Sequence, residues 1–364
     1  MMKTVQAQID LSALRHNVNL IRQNLPESKV YSVLKADAYG HGSVRCAMAL
    51  NDTVYGFAVA RIEEAVELRD AGITKPILML GGFFREEDLK LIECYDLEFT
   101  VHSQWQIDAL RAYSSDNCFT VWLQVNVGMQ RLGFNADELD AAAVGIADCA
   151  CVRKPVGIIS HLSCADDDSL KDYNELQLAE WKKMTGGWNG PKCLSNSAAC
   201  AYFPEKSTEF VRPGITQYGI SPTIGKTGKD MGLRPVMKLS SEIIAIRDLK
   251  PGDVVGYGAS WVCEKPTRLA IVAIGYADGY PRAVPSGTPV EINGRVAKTA
   301  GHVCMDMMFV DLGAGAADKI GDRVYLWGTD SVSVECVAES VNTIPYELVC
   351  HLSDRVEFVY SDDR

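Results

Sequence analysis

This 364-residue sequence has no apolar run long enough to span a membrane, and its opening segment MMKTVQAQID lacks the apolar core of a signal peptide. Positive charge is also scarce, because 36 Lys and Arg are outnumbered by 47 Asp and Glu, for a formal net charge of -11. An acidic chain disfavours nucleic-acid and anionic-membrane surfaces, although a local cationic pocket can still hold an anion. We therefore expect a cytoplasmic protein without nucleic-acid or membrane partners.

Metal-ligand spacing is missing as well. The twelve cysteines are scattered, mostly within apolar segments such as LVCHL and IECYDL. The triplet CAC at 149–151 is too short for a zinc knuckle, and His161 with Cys164 makes no metal pair. We expect reduced cysteines in the core and no metal site.

A phosphate-binding P-loop is only approximated. The segment GISPTIGKT has five residues between Gly219 and Gly225, where the motif requires four, and no clear helix follows it. The spacing matters because successive backbone N–H groups must close on one phosphate. The stretch SPTIGKTGKDMGLRP is instead expected to be a flexible linker between two domains.

Short apolar runs alternate with amphipathic stretches over the first two-thirds of the chain. One stretch, LSALRHNVNLIRQNL, has helical spacing of its apolar residues, with Ser12 as a candidate cap. The strand-like runs are KVYSVLK, VYGFAVA, PILMLGG, LEFTV, FTVWLQVN, VGIISHL, KCLSN and EFVRPGI. Eight strands separated by helices predict an α/β fold, a (β/α)8 TIM barrel at residues 11–235. A doubly wound open sheet is the structural alternative.

The pattern changes near Pro235. Five strand-like segments with Gly, Pro, Asn and Asp turns follow, and only one later segment, SVECVAESVNT, is helix-like. We therefore predict a second, mainly β domain at residues 236–364, with residues 1–10 forming a strand that packs with it.

Polar residues follow five of the eight predicted strands, at the barrel face where active sites lie. They are Lys35 after the first strand, Arg131 after the fifth, His161 after the sixth, Asn196 and Ser197 after the seventh, and Arg212 and Gly214 at the eighth. Singly, each has an ordinary explanation: a solvated lysine, a core histidine, a surface ion pair or a helix cap. Their convergence on one face favours a shared site.

The last two strands suggest a phosphate site opposite Lys35. Ser197 would stand at a helix N-terminus, and Gly214 would let the backbone approach an anion closely. An anchored phosphate and an amine that can form a Schiff base are what pyridoxal 5'-phosphate (PLP) needs.

The sequence also resembles a known family. VLKADAYGHG, GMQRLGF, SHLSCAD, SNSAA, VRPGI, VVGYGASW, AIGYADGYPR and GHVCMD look like the successive blocks of the PLP-dependent alanine racemases, from about residue 5 to residue 359. The resemblance implies interconversion of L- and D-alanine, a role in cell wall biosynthesis, and a homodimer with shared active sites.

The resemblance assigns roles to individual positions. Lys35 and Tyr257 are implied to be the two catalytic bases. The implied cofactor-binding residues are Lys35, Tyr39, Arg131, His161, Asn196, Ser197, Arg212, Gly214 and Ile215. The implied substrate-binding residues are Arg131, Tyr276, Met305, Asp306 and Asp354.

Two bases on opposite faces of one planar intermediate suit racemisation, because the Cα proton leaves from one face and returns to the other. A free tyrosine titrates near ~10 and is a poor base at neutral pH. A nearby cation would lower the pKa of the tyrosine and make it a better base at neutral pH. We therefore interpret His161, linked to Arg212, as the source of that bias for Tyr257.

Three positions depart from the family pattern. Gln124 stands where a carbamylated lysine is common, and His302 stands where arginine is usual; we have no functional account of His302. Asp354 replaces a tyrosine, which either opens the pocket to serine or reflects a loop that faces solvent. The competing functions are therefore a serine or broad-specificity racemase, a PLP-dependent decarboxylase, a non-catalytic cofactor-carrying barrel and a binding protein.

Overall fold

A computed structural model describes residues 4–115 and 117–362. The chain divides into two compact units: Val18–Gln217 forms one, and the described residues up to Asn17 and from Tyr218 onward form the other. The chain begins with strand β1 (Gln6–Asp10) and helix α1 (Leu11–Asn24). Asp10 caps α1, because its Oδ1 accepts the Ala13 backbone N–H at 2.9 Å. The predicted cap at Ser12 was therefore wrong.

The first unit is a closed parallel barrel. Its strands are β2 (Lys29–Val33), β3 (Gly56–Val59), β4 (Ile77–Met79), β5 (Glu98–Val101), β6 (Val121–Gln124), β7 (Gly157–Ile159), β8 (Lys192–Cys193) and β9 (Phe210–Val211). The barrel closes where β9 pairs with β2 in parallel. This closure confirms the predicted eight-stranded barrel and excludes the open sheet. The strands are apolar because they are buried on both faces.

Helical segments connect the barrel strands. They are α2 (Lys35–Gly40), α3 (Ser43–Leu50), α4 (Ile62–Asp70), α5 (Asp88–Cys94), α6 (Gln104–Ala112), α7 (Leu139–Ala147), α8 (Lys171–Thr185) and α9 (Ser197–Tyr202). The strand interiors carry large side chains, and Tyr31, Phe57 and Trp122 are almost fully buried there. The barrel interior is thus a packed core, and its rim is left to the connecting loops.

The second unit is built on an antiparallel sheet. Its longer strands are β10 (Met237–Leu249), β13 (Thr267–Val272), β14 (Pro289–Ile292), β15 (Arg295–Thr299), β16 (Met308–Gly313), β17 (Arg323–Trp327) and β18 (Glu357–Ser361), with β11 (Val254–Val255) and β12 (Trp261–Val262) as a separate pair. Strand β1 joins this sheet, antiparallel to β10 and parallel to β18.

The described part of the second unit has two later helices, α10 (Val334–Ser340) and α11 (Pro345–Cys350), where the sequence predicted one. Helix α11 is too short to show helical periodicity, although Pro at its first position is a usual start. The predicted flexible linker is also anchored, because the N–H groups of Ser221 and Gly228 donate to the buried Glu335 carboxylate. Across the described residues, no helix combines the length and apolar character that a membrane span needs.

Candidate active site

Lys35 stands at the carboxyl end of the first barrel strand. It follows β2 after Leu34 and opens α2. Its Nζ lies 5.9 Å from the centroid of the Tyr39 ring, and the Tyr39 side chain is buried. This face of a (β/α)8 barrel is where active sites are found. The strand thus presents an amine at the rim, next to an aromatic hydroxyl.

The turn after Lys35 is left-handed. Ala36, Asp37, Ala38 and Tyr39 all have φ between 51° and 55°. This conformation costs L-residues about 1–2 kcal/mol each, because the β-carbon approaches the following carbonyl oxygen. Such backbone persists only where its surroundings hold it. The sequence pattern does not predict this turn.

Two polar side chains close the turn. Asp37 Oδ1 accepts the Ser43 backbone N–H at 2.6 Å. The buried His41 places its Nδ1 2.9 Å from the Tyr39 carbonyl oxygen. A carbonyl only accepts, so Nδ1 carries the proton. Burial lowers the pKa of His41 to about 4, so the ring is neutral at pH 7 and works as a fixed donor.

The ends of the last two strands meet the Lys35 turn. Ser197 Oγ accepts the backbone N–H groups of Gly214 at 2.8 Å and Thr216 at 3.4 Å. A β-carbon at Gly214 would lie 2.4 Å from the Tyr39 hydroxyl oxygen, so any side chain there would have to displace Tyr39. The fully buried Ile215 follows at once. Two N–H donors therefore converge on one oxygen atom beside Tyr39.

Arg212 is buried within the rim. Its Nε donates to the Cys193 thiol sulphur at 3.1 Å. Its Nη2 donates to the carbonyl oxygens of Leu194, at 3.2 Å, and Ser160. Within residues 4–115 and 117–362, no carboxylate forms an ion pair with Arg212. Carbonyls and a thiol thus fix this guanidinium in place without neutralising it.

His161 lies beside Asn196, whose Nδ2 is 3.3 Å from His161 Nε2. Asn196 also caps α9 by accepting the Ala199 N–H at 3.0 Å. Burial, followed by the charges of Arg212 and Arg131, lowers the pKa of His161 well below its usual value. These surroundings favour the uncharged imidazole, and the interpretation that His161, linked to Arg212, biases Tyr257 stays a prediction.

Arg131 follows β6 in a loop organised by Asn126. The Asn126 Oδ1 accepts the Gly128 N–H at 3.0 Å, and its Nδ2 donates to Gln130 at 2.8 Å. Burial, with a contribution from Arg212, lowers the pKa of Arg131. In the described part of the chain, no hydrogen bond joins Arg131 to the nearly buried Gln124.

The second unit carries the other predicted site residues on exposed loops. Tyr257 is 74% exposed, and Tyr276 and Met305 are also exposed. Asp306 is exposed too, and its Oδ1 accepts from Arg355 at 2.9 Å.

Arg355 links Asp306 to the buried carboxylate of Asp278, which no sequence motif singled out. Its Nε lies 3.1 Å from Asp278 Oδ1, and the other Asp278 oxygen accepts the Gly275 N–H at 2.9 Å. Asp354, which immediately precedes Arg355, is exposed. His302, for which we have no functional account, is exposed as well.

A closed barrel with a lysine after its first strand and convergent N–H donors after its last defines an enzyme of the PLP barrel class. The family model described as alanine racemase, N-terminal domain, matches residues 9–222, and that of the alanine racemase C-terminal domain matches residues 236–360. The chain belongs to the alanine racemase family.

Individual relatives agree over nearly the whole chain. It is 44% identical over 362 residues to an alanine racemase of Actinobacillus succinogenes, covering 99% of this chain and 100% of the relative. It is 46% identical over 356 residues to one from Shewanella amazonensis, covering 96% and 97%.

Solved structures give the same result. The biosynthetic alanine racemase from Pseudomonas aeruginosa superposes with a TM-score of 0.94 at 38% identity, covering 99% of this chain and 100% of the other. The alanine racemase from Acinetobacter baumannii superposes with a TM-score of 0.90 at 34% identity, over the same shares of the two chains.

Proposed function

We propose that this protein is a PLP-dependent alanine racemase that interconverts L- and D-alanine. The observation that carries the proposal is the meeting of the Lys35 turn with the last barrel strand, where Tyr39 lies against Gly214 and Gly214 bonds Ser197. The family and the relatives support the same reaction. We place the enzyme in the cytoplasm, where D-alanine supplies cell wall biosynthesis.

The barrel residues fit PLP. Lys35 offers the amine that an aldehyde needs, and the N–H groups of Gly214 and Thr216 converge on Ser197 Oγ as they would on a phosphate oxygen. Tyr39 completes this group from the other side. When bound, PLP withdraws electrons from the Cα–H bond of the amino acid and makes its proton removable. Asn196, His161, Ile215 and Arg131 are assigned to the same site.

Two bases of this chain then move the proton. Lys35 Nζ removes or returns it on one face of Cα, and Tyr257 Oη does so on the other. Arg131, Tyr276, Met305 and Asp306 are assigned to binding or admitting the substrate.

When PLP is bound, Arg212 would be the partner of its ring nitrogen and would set how strongly the ring withdraws electrons. A guanidinium only donates hydrogen bonds and stays charged, so it would not keep that nitrogen protonated as a carboxylate partner would. Its N–H groups are already directed by Ser160, Leu194 and Cys193. A weaker withdrawal of this kind would limit side reactions such as transamination.

We propose a homodimer in which Tyr257 of one subunit serves the Lys35 of its partner. The exposure of Tyr257, Tyr276 and Met305 supports this, because residues of a shared site are open on a single chain. We assign residues 11–235 to the PLP-binding domain and residues 236–364 to the domain that supplies these side chains.

Serine is a second candidate substrate. Asp354 is an exposed polar residue where many family members carry a tyrosine, and the smaller side chain leaves more room near the substrate. The ratio of kcat/KM for L-alanine to that for L-serine separates the two substrates.

The main test combines the visible spectrum with polarimetry. Wild type should purify with the yellow absorbance of lysine-bound PLP and should racemise L-alanine, and Lys35→Ala should lose both. Lys29→Ala, at the other end of the same strand, is the control and should keep both. Release of carbon dioxide would instead indicate a decarboxylase, and an uncoloured, inactive wild type would indicate a binding protein.

A further inference from the structure

Glu64 caps the helix that follows the second barrel strand. It lies in the first turn of α4, and its Oε2 accepts the backbone N–H groups of Ala60 at 2.7 Å and Arg61 at 3.0 Å. This is the glutamate half of a capping box, which satisfies donors that a helix start leaves open. One carboxylate oxygen is enough for this task.

The other oxygen reaches the lysine turn. Glu64 Oε1 accepts the backbone N–H of Ala36 at 2.6 Å, and Ala36 is the residue directly after Lys35. The bond spans 28 positions of sequence and joins the loop after β2 to the loop after β3. A single carboxylate therefore ties the Lys35 backbone to the neighbouring strand.

The Ala36 N–H needs such a partner. It begins a left-handed turn, and the first N–H groups of any helical turn have no acceptor within the turn itself. Four consecutive non-glycine residues in this conformation stay there only when outside contacts outweigh the strain. His41 and Asp37 hold the far end of the turn, and Glu64 holds the end next to Lys35.

We propose that Glu64 is a positioning residue for Lys35. By fixing the Ala36 N–H, its carboxylate sets the direction in which the Lys35 side chain leaves the rim. Glu64 acts through the backbone next to Lys35, and its role requires no contact with the substrate. The inference rests on the proposed function of Lys35 as cofactor anchor and base. The simpler alternative is that Glu64 only caps α4.

Glu64→Ala and Glu64→Gln are the test variants. Alanine removes both acceptors. Glutamine offers one carbonyl oxygen in place of two carboxylate oxygens, so it can keep either the cap or the Ala36 bond at full strength. Glu63→Ala and Glu63→Gln are matched controls. Glu63 is exposed in the same first turn of α4, and its substitutions change the net charge by the same amount as those of Glu64.

The first readout is hydrogen exchange of the segment 35–42, measured by mass spectrometry without substrate. If Glu64 holds the turn, exchange at the Ala36 amide should speed up at least tenfold in Glu64→Ala. It should speed up less in Glu64→Gln, and the Glu63 controls should match wild type. Unchanged exchange of the segment in Glu64→Ala would overturn the proposal.

The second readout is the loss of Cα hydrogen from each alanine enantiomer in deuterated water. A displaced Lys35 slows proton transfer on one face, so the ratio of the two exchange rates should change at least threefold in Glu64→Ala, with kcat falling more than KM rises. If Glu64 only capped α4, Glu64→Ala would lower the melting temperature but leave the ratio of the two exchange rates in the folded enzyme unchanged. That result would also overturn the proposal.

The two proposals fail in different ways. An inactive, colourless wild type would remove the proposed function, whereas the amide exchange of Ala36 would still report whether Glu64 holds the turn. If wild type is active and Glu64→Ala has the same ratio of Cα exchange rates as wild type, only the positioning role of Glu64 is removed.

Discussion

The Tyr39 hydroxyl occupies the space that any side chain at Gly214 would need. A β-carbon at Gly214 would lie 2.4 Å from Tyr39 Oη and 3.0 Å from Cζ. Tyr39 belongs to the turn after the first barrel strand, and Gly214 follows the last. Closure of the barrel therefore brings the Tyr39 hydroxyl, which follows the first strand, against the Gly214 backbone, which follows the last strand.

Gly214→Ala should weaken cofactor binding. The added methyl group must push Tyr39 away, and overpacking of this kind costs about 1–3 kcal/mol. We expect PLP affinity to fall by about ten- to hundredfold, measured by titrating the apoprotein and following absorbance. Gly187→Ala is the control, because no atom lies within 4 Å of its added β-carbon. Equal affinities for the two variants would contradict the expectation.

Mixed dimers test the shared active site. Lys35→Ala and Tyr257→Phe should each be inactive or crippled as purified homodimers. In co-expressed mixtures, one site of each heterodimer contains both intact residues if Tyr257 serves the partner. We expect roughly a quarter of wild-type activity, since half of the randomly formed C2 dimers are heterodimers. Activity no higher than that of the separate variants would place both residues in the same chain's site.

His41 should make stability depend on pH. Burial lowers the pKa of His41 in the folded state to about 4, compared with 6.5 for a solvent-exposed histidine. The unfolded chain therefore takes up this proton first as pH falls. The contribution of His41 is full above pH 6.5 and is lost as pH falls to about 4, a change of roughly 3 kcal/mol.

His41→Asn is the variant that checks this dependence. Asparagine keeps an N–H donor for the Tyr39 carbonyl but does not titrate. Urea unfolding at several pH values should show a shallower loss of stability between pH 6.5 and 4 than in wild type. His351→Asn, at an exposed position, should keep the wild-type slope. Parallel curves for wild type and His41→Asn would refute the expectation.

Arg355→Ala should impair substrate binding more than turnover. The change releases Asp306 and leaves the buried Asp278 without its ion-pair partner. We expect KM for alanine to rise several-fold and the melting temperature to fall, with a smaller change in kcat. Arg247→Ala, on strand β10 of the same unit, is a control for lost positive charge. An unchanged KM would remove the link between Arg355 and the substrate.

Some features were predictable because they depend on local pattern. Eight short apolar runs separated by amphipathic stretches favour a parallel sheet covered by helices, so the barrel was predicted with an open sheet as the alternative, and the pairing of β9 with β2 decided between them. The same pattern predicted that Lys35 lies at the end of one strand and that Gly214 lies at the end of another. The second helix of the β unit did not, because α11 has only six residues.

The sequence by itself determined the alternation of eight strands with helices, the mainly β segment that follows and the strand ends that carry Lys35, Ser197 and Arg212. Closure of the strands into a barrel was decided by the parallel pairing of β9 with β2. The left-handed turn was decided by tertiary structure, because Ala, Asp and Tyr disfavour that backbone locally. Hydrogen bonds from the turn to Glu64, distant in sequence, and within the turn to Asp37 and the buried His41 hold it. The lowered pKa of His161 likewise depends on burial and on the nearby charges of Arg212 and Arg131, which folding brings together. Contacts and desolvation of this kind exist only once the chain has folded.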